Sequence, residues 1–264
     1  AITTGDNNTI VGGLAGDALT TGGRNVAIGL GALGTEDTTG KAVAIGYSAL
    51  GTQNAGSDSY NVAVGYDAGK SVSTGTENTI IGGLAGDALQ GGERNVAIGT
   101  YALSSEDGDG YNVAVGHSAL LNQNTGATAY NVAVGYSAGS QVSTGVNNTL
   151  IGGLAGDALT TGTNNVAMGY GALGSEDTGG QNVAIGVNAL NTANYDGNGL
   201  NVAVGYNAGV LMTTGEQNTL IGGNAGDAMT IANNNVAIGV NALGAETEGD
   251  RNVAIGNYAL ATQN

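Results

Sequence analysis

Residues 25–33 read NVAIGLGAL, and close variants such as the NVAIGVNAL of residues 182–190 recur along the whole chain. We call each copy a rung and number its positions from the central glycine, which is position 0. The spacing of these glycines runs 17, 17, 19, 17 and then repeats, so four rungs form a super-repeat that contains one longer rung. The glycine occurs fifteen times, at Gly12, Gly29, Gly46, Gly65, Gly82, Gly99, Gly116, Gly135, Gly152, Gly169, Gly186, Gly205, Gly222, Gly239 and Gly256.

The segment before each central glycine has the pattern of a short strand. Positions −3 and −1 carry the larger residues, position −2 is mostly Ala, and this alternation has the two-residue period of β-structure. The density of glycine and the lack of a 3.6-residue period exclude helix. One or two short strands in each rung of 17 to 19 residues fit one turn of a solenoid, in which each turn pairs with the next.

We therefore predict an all-β parallel β-solenoid (β-roll) of about 15 rungs, forming a single domain over residues 1–264. Its super-repeats span 5–74, 75–144, 145–214 and, in part, 215–264. We expect positions −3 and −1 to face the core. Position −2 would then face outward against a copy of the chain, with an aliphatic residue once per super-repeat at Ile10, Ile80, Leu150 and Leu220.

Positions +4 and +7 vary together. Where +4 is Gly, position +7 is apolar, at Leu19, Val72, Leu89, Val142, Leu159, Met212 and Met229. Where +4 is Leu, position +7 is mostly polar, at Glu36, Gln53, Glu106, Gln123, Glu176, Glu246 and Gln263, with Ala193 as the exception. This compensation predicts that one large aliphatic side chain per rung fills the same volume of a narrow, close-packed core.

Position −4 is Asn in fourteen rungs, and Ala42 is the one departure. We expect these side chains to form a structural ladder of hydrogen bonds to neighbouring rungs or to turn backbone. A simpler alternative is that Asn is there because it tolerates left-handed turn geometry. The ladder residues are Asn8, Asn25, Asn61, Asn78, Asn95, Asn112, Asn131, Asn148, Asn165, Asn182, Asn201, Asn218, Asn235 and Asn252.

Composition and charge exclude several functional classes. The chain has 51 Gly and no Pro, Cys, Phe or Trp, so its interior must be narrow and it has no thiolate metal site. A net charge of −16 repels phosphate groups, which argues against nucleic acids and anionic membranes as partners. The sequence has no apolar run of about 18 residues, so we expect no membrane insertion.

Acidic residues recur in phase with the super-repeat. A cluster of carboxylates is one way to supply the roughly six to eight oxygen ligands of Ca²⁺. The alternative, which we favour, is a solvated acidic edge that keeps fibres soluble, with no cofactor. The candidate ligands are Asp17, Glu36, Asp37, Asp87, Glu106, Asp107, Asp157, Glu176, Asp177 and Asp227, and the fourth super-repeat carries Glu246 and Glu248 at the second turn.

Catalysis has little support in the sequence. His117 is the only histidine, and it occupies position +1, where other rungs carry Tyr. We therefore predict no catalytic residues and no enzymatic activity. Exposed tyrosines at +1 and before the asparagine, such as Tyr60, Tyr111 and Tyr130, leave glycan binding open, although packing over rung edges is the simpler interpretation.

The NVAIG-type motifs of residues 25–33, 182–190 and 235–243 resemble the head repeats of trimeric autotransporter adhesins. Similar repeats occur in bacteriophage tail fibres. The resemblance covers the whole chain and implies a left-handed parallel β-roll that assembles as a homotrimer at a cell or virion surface. It leads us to expect a non-enzymatic segment of an extracellular fibre or adhesin that associates with itself as a trimer or end to end. An unknown surface receptor or glycan would be its target. Because the sequence starts and stops inside the repeat pattern, we also expect it to be part of a longer array.

Overall fold

The structure is a computed structural model that describes residues 2–108 and 110–262, so Gln263 lies outside the described residues. The described residues contain short parallel strands and no helix. They group into two compact units, residues 1–131 and residues 132–264, where the sequence predicts one domain.

The first unit is a parallel β-solenoid with one short strand per rung. Each strand occupies positions −3 to −1, and equivalent positions of consecutive rungs pair, as Val43 does with Val26 and Val62. The strands are β1 (Thr9–Val11), β2 (Val26–Ile28), β3 (Val43–Ile45), β4 (Val62–Val64), β5 (Thr79–Ile81), β6 (Val96–Ile98) and β7 (Val113–Val115).

The second unit repeats the same architecture. Its parallel register is again position to position, as in the pairing of Val166 with Thr149 and Val183. The strands are β8 (Val132–Val134), β9 (Thr149–Ile151), β10 (Val166–Met168), β11 (Val183–Ile185), β12 (Val202–Val204), β13 (Thr219–Ile221), β14 (Val236–Ile238) and β15 (Val253–Ile255). The prediction of a parallel β-solenoid is confirmed, and of the one or two strands expected in each rung the structure has one.

The central glycine is required both by its backbone conformation and by the contact between rungs. Gly82 has a φ of +134°, a region closed to residues with a side chain. A Cβ there would lie 2.6 Å from the carbonyl carbon of Gly99, the central glycine of the next rung. The glycines therefore stack directly on one another, which explains why no rung replaces this residue.

The strand faces the core with position −2, so the predicted orientation of the strand is wrong. Ile80 and the alanines at this position, such as Ala44, are fully buried, whereas Ile81 beside Ile80 is 38 % exposed. The physical reason is the width of the interior. Each rung already places a large aliphatic residue and the Ala of position +3 inside, so opposite them there is usually room only for Ala.

The four larger residues at −2 are accommodated by glycine at +4. A Cβ on Gly69 would lie 2.8 Å from Cδ1 of Ile80, and one on Gly86 would lie 3.5 Å from the same atom. Backbone geometry does not explain the choice, because Leu50 at +4 (φ 48°) and Gly69 (φ 58°) share the left-handed conformation. The sizes of the residues at −2, +4 and +7 thus depend on one another.

The compensation between +4 and +7 is present as predicted. Leu33 and Leu50 at +4, and Leu19 and Val72 at +7, are all fully buried. The polar residues at +7 are buried as well, which the sequence analysis missed. These residues are Glu36, Gln53, Glu106, Gln123, Glu176 and Glu246.

Candidate functional site

The asparagines at position −4 form a hydrogen-bonded ladder through both ends of the side chain. Asn78 Oδ1 accepts the backbone N–H of Asn95 at 2.9 Å, and Asn78 Nδ2 donates to the carbonyl of Gly92 at 2.8 Å. Asn61 makes the same contacts, to the N–H of Asn78 and the carbonyl of Gly75. Each side chain thus links its own rung to the next rung and to the turn that closes it.

The ladder changes at the longer rung of each super-repeat. In the other rungs Nδ2 donates to the carbonyl 14 residues further on, but 14 residues beyond Asn112 lies Gly126, in the exposed insertion. Asn112 Oδ1 accepts the N–H of Asn131 at 3.1 Å, while its buried Nδ2 has no partner among the described residues. Asn182, at the same place in the third super-repeat, donates to the carbonyl of Gly180 at 3.1 Å instead. Ala42 occupies this place in the first super-repeat, so the single departure from Asn falls where the usual contact 14 residues further on is not made.

The glutamates at +7 are buried hydrogen-bond acceptors. Glu36 accepts from Gln53 Nε2 at 3.0 Å, from the Thr39 N–H at 3.0 Å and from the Thr39 hydroxyl. Gln53 Oε1 in turn accepts from Nδ2 of Asn61 at 2.8 Å, which joins this group to the asparagine ladder. Glu36 is thus part of the core, and the expectation that it belongs to a solvated acidic edge is wrong.

In the third super-repeat, other residues fill this part of the core and accept the hydrogen bond from the asparagine ladder. Its +7 position is the small Ala193, and Tyr195 fills the space beside it, with 2 % exposure. The Tyr195 hydroxyl accepts from Asn201 Nδ2 at 2.9 Å, and the Tyr195 N–H donates to Glu176 at 3.3 Å. Desolvation raises the pKa of the Tyr195 hydroxyl, so Tyr195 stays neutral.

The carboxylates at +5 lie apart from the buried glutamates. Asp17 is exposed, and Asp87 accepts a hydrogen bond from Ser104 at 2.5 Å. Burial raises the pKa of Glu176. It also raises the pKa of Asp157 and Asp227, which are less completely buried. Among the described residues no three His, Cys, Asp or Glu side chains come together in a way that would hold a metal ion. The candidate calcium ligands are therefore not assembled into a site.

In several rungs the +8 residue is Thr or Ser, and its hydroxyl donates to the +8 carbonyl of the next rung, a contact that was not predicted from the sequence. The hydroxyl of Thr20 donates to the carbonyl of Asp37 at 3.1 Å, and Thr160 makes the same bond to Asp177 at 2.9 Å. The recurrence of Thr or Ser at this position was the available signal.

The outward strand face, formed by positions −3 and −1, is a continuous row of apolar side chains in each unit. Its residues are Val, Ile or Met, apart from Thr at −3 in the first rung of every super-repeat. Most are half-buried by their neighbours on the same sheet. The more exposed ones are Val11, Ile81, Met168, Ile185, Ile221, Val253 and Ile255.

Ten of the eleven tyrosines are exposed, and several contact one another on neighbouring rungs. The rings of Tyr47 and Tyr66 are stacked at 5.1 Å with planes 9° apart, and those of Tyr111 and Tyr130 lie 5.3 Å apart. His117 is exposed, and its Nδ1 lies 2.9 Å from the hydroxyl of Ser118.

No helix among the described residues is long and apolar enough to cross a membrane. No protein-family model matches the chain, and neither a curated protein nor a solved structure does.

Proposed function

We propose that this protein is a non-enzymatic structural segment of an extracellular fibre or adhesin, displayed at a cell or virion surface. It works as a homo-oligomer and serves attachment or the formation of surface filaments. The observation that carries the proposal is the outward strand face, because it is apolar in nearly every rung of both units.

A continuous row of apolar side chains that remains in contact with water is costly. Removing it from solvent contributes about 25 cal/mol per Å², and contiguous patches of a few hundred Å² on a soluble protein mark interaction sites. β-Branched residues on a flat strand suit close packing against another sheet. The outward strand face is therefore best explained as a surface that is covered in the functional assembly.

A second copy of the same chain is the partner that fits this face best. Its rungs repeat about every 4.8 Å, so only a surface with the same spacing can meet every rung in the same way. A copy of the chain provides that spacing and the same apolar chemistry. This changes the interface expected from the sequence, because the covered residues are those at −3 and −1, and not those at −2.

A structural role, as opposed to catalysis, is supported by how the polar groups are used. The glutamates at +7 accept hydrogen bonds from their own and the next rung, as Glu36 does from Thr39 and Gln53, and an equivalent glutamate recurs in every super-repeat. A group repeated in this way and engaged by backbone donors stabilises a scaffold.

Electron microscopy of the purified chain in negative stain tests the proposal. Association through the outward strand face gives particles that contain several chains side by side and have a constant length. End-to-end association gives filaments whose length increases with concentration. A field of single-chain particles at every concentration contradicts the proposal.

A further inference from the structure

A cleft of about 270 Å³ lies on the first unit, between the +2 and +5 positions of its first four rungs. Gly31, Gly34 and Gly51 leave it open, because none of them has a side chain. Asp17 lies at +5 of the first rung and Lys70 at +5 of the fourth, so the cleft has a carboxylate towards one end and an ammonium group towards the other.

The cleft is a departure from the repeat. At the position of Gly31 the second super-repeat has Tyr101, and at the position of Gly51 it has Leu121. The third super-repeat keeps the first two glycines but replaces Lys70 with Val210. Only the first super-repeat combines the three glycines with Lys70. Non-repeated residues that converge on one surface of a strict repeat indicate a local role that the scaffold itself does not require.

Polar groups beside the cleft are arranged to receive hydrogen bonds. The Thr35 hydroxyl donates to the carbonyl of Gln53 at 3.1 Å, and that of Thr52 donates to the carbonyl of Lys70 at 2.8 Å. Their hydrogens are used, so the remaining lone pairs can accept from a ligand. Asp17 adds an exposed carboxylate with the same capacity.

An ion pair and two stacked tyrosines adjoin the fourth rung of the cleft. Lys70 Nζ donates to Asp67 Oδ2 at 3.2 Å, and the buried Oδ1 of Asp67 has no partner among the described residues. The hydrogen bond to Asp67 raises the pKa of Lys70, and the nearby Tyr66 and Tyr47 raise it further. Tyr47 directly precedes Ser48, which lines the cleft, and Tyr66 directly precedes Asp67, the partner of Lys70, so the stacked pair lies beside the cleft lining.

We propose that this cleft binds a short neutral oligosaccharide. Sugar rings carry hydroxyls that donate to Asp17 and the threonine oxygens, and apolar C–H faces that pack on tyrosine rings. A volume near the lower end of the roughly 300 to 1,000 Å³ usual for ligand pockets suits one or two rings. Phosphorylated ligands are disfavoured, because Lys70 is already paired and Asp17 and Asp67 are both negative.

Saturation-transfer NMR with chitotriose and cellotriose, each titrated separately against the full chain, tests the assignment. The central variant is Gly31→Tyr, which places in the cleft the residue that Tyr101 already provides in the second super-repeat. A Cβ on Gly31 meets only Ser48 Oγ, at 3.5 Å, and Tyr101 has a similar φ of 60°, so folding is preserved. Gly171→Tyr makes the same change in the second unit and serves as the control; a Cβ there would lie 3.1 Å from the side-chain ends of Asn188 and Asn191, so circular dichroism checks that this variant is folded.

The expected result is saturation transfer to at least one of the two sugars in the unmodified chain and in Gly171→Tyr, and its loss in Gly31→Tyr. Tyr47→Val, which copies Val187 of the third super-repeat, weakens binding about tenfold through lost stacking. Absence of transfer to both sugars, or equal binding by Gly31→Tyr, overturns the proposal. Binding of an unrelated peptide or of Ca²⁺ that Gly31→Tyr abolishes, without sugar binding, also overturns it. The inference does not rest on self-association, which is measured separately as particle mass.

Discussion

The hydroxyl of Tyr195 accepts a hydrogen bond from Nδ2 of Asn201 at 2.9 Å, in the place that a glutamine occupies in the first two super-repeats. There, Gln53 Oε1 accepts from Asn61 Nδ2 at 2.8 Å and Gln123 Oε1 accepts from Asn131 Nδ2 at 2.9 Å. A tyrosine two residues along the chain therefore replaces both the volume and the acceptor of a glutamine.

This exchange predicts strong coupling between positions 193 and 195. Tyr195→Ala alone leaves a cavity and an unpaired amide, and we expect it to lower the free energy of unfolding by about 3 to 5 kcal/mol. Ala193→Gln alone overpacks the same volume. The double variant recreates the Gln53 and Ala55 of the first super-repeat, and we expect it to lie within about 1 kcal/mol of the unmodified chain. Urea denaturation of the four proteins measures the coupling, and additive losses would show that the two arrangements are not equivalent.

The asparagine ladder predicts unequal costs for one substitution. Asn78→Ala removes an acceptor for the Asn95 N–H and a donor to the Gly92 carbonyl, and we expect it to cost about 2 to 3 kcal/mol. Asn112→Ala removes only the acceptor for the Asn131 N–H, so we expect roughly half that cost. Denaturant unfolding of the two variants compares them directly. A loss for Asn112→Ala as large as that for Asn78→Ala is incompatible with the contacts described.

Burial of Glu176 predicts that acidification stabilises the protein. Because desolvation raises the pKa of Glu176 in the folded state, its contribution to stability is fully present below the unfolded pKa, about 4.3, and is lost as the pH rises through the folded value. We therefore expect a higher melting temperature at pH 5 than at pH 8. Asp157 and Asp227, whose pKa values burial also raises, act in the same direction.

Glu176→Gln separates this effect from the general relief of negative charge. The variant cannot titrate at position 176 but keeps an oxygen for the Gly179 N–H, which donates to Glu176 Oε1 at 2.6 Å. We expect a smaller difference in melting temperature between pH 5 and pH 8 than in the unmodified chain. An unchanged difference, or a lower melting temperature at pH 5, contradicts the assignment.

The spacing of the central glycines was enough to predict the solenoid. A glycine such as Gly82 stacks on Gly99 of the next rung, where no other residue fits, so the glycine recurs in every rung and marks the repeat. The side of the strand that faces the core was predicted wrongly. Residue size favoured Val62 and Val64 as core residues, but the narrow interior accepts Ala63 between them. Alternation identifies two faces of a strand without showing which of them is covered.

The burial of the glutamates was not predicted, because charged side chains are usually exposed to solvent. The available signal was their position, since Glu36 occupies the same +7 site as the core residues Leu19 and Leu89. Tyr195 was harder to find, because it replaces a glutamine from a different position in the rung. The cleft between Asp17 and Lys70 depends on four rungs at once, and no single motif contains it.

The mass of the chain in solution, measured by sedimentation equilibrium, tests the central claim most directly. We predict a multiple of 25.5 kDa for the unmodified chain. The variant Val26→Thr, Val43→Thr, Val62→Thr makes the outward strand face more polar with a residue that Thr9 and Thr79 already provide at this position, and we predict that it shifts the equilibrium toward 25.5 kDa.

The matched control replaces three exposed threonines away from that face, in the variant Thr21→Ser, Thr38→Ser, Thr74→Ser, and we predict that it keeps the mass of the unmodified chain. Circular dichroism confirms that both variants remain folded. A single species of 25.5 kDa for the unmodified chain at every concentration, or an oligomer that the valine substitutions leave intact, would contradict association through the outward strand face.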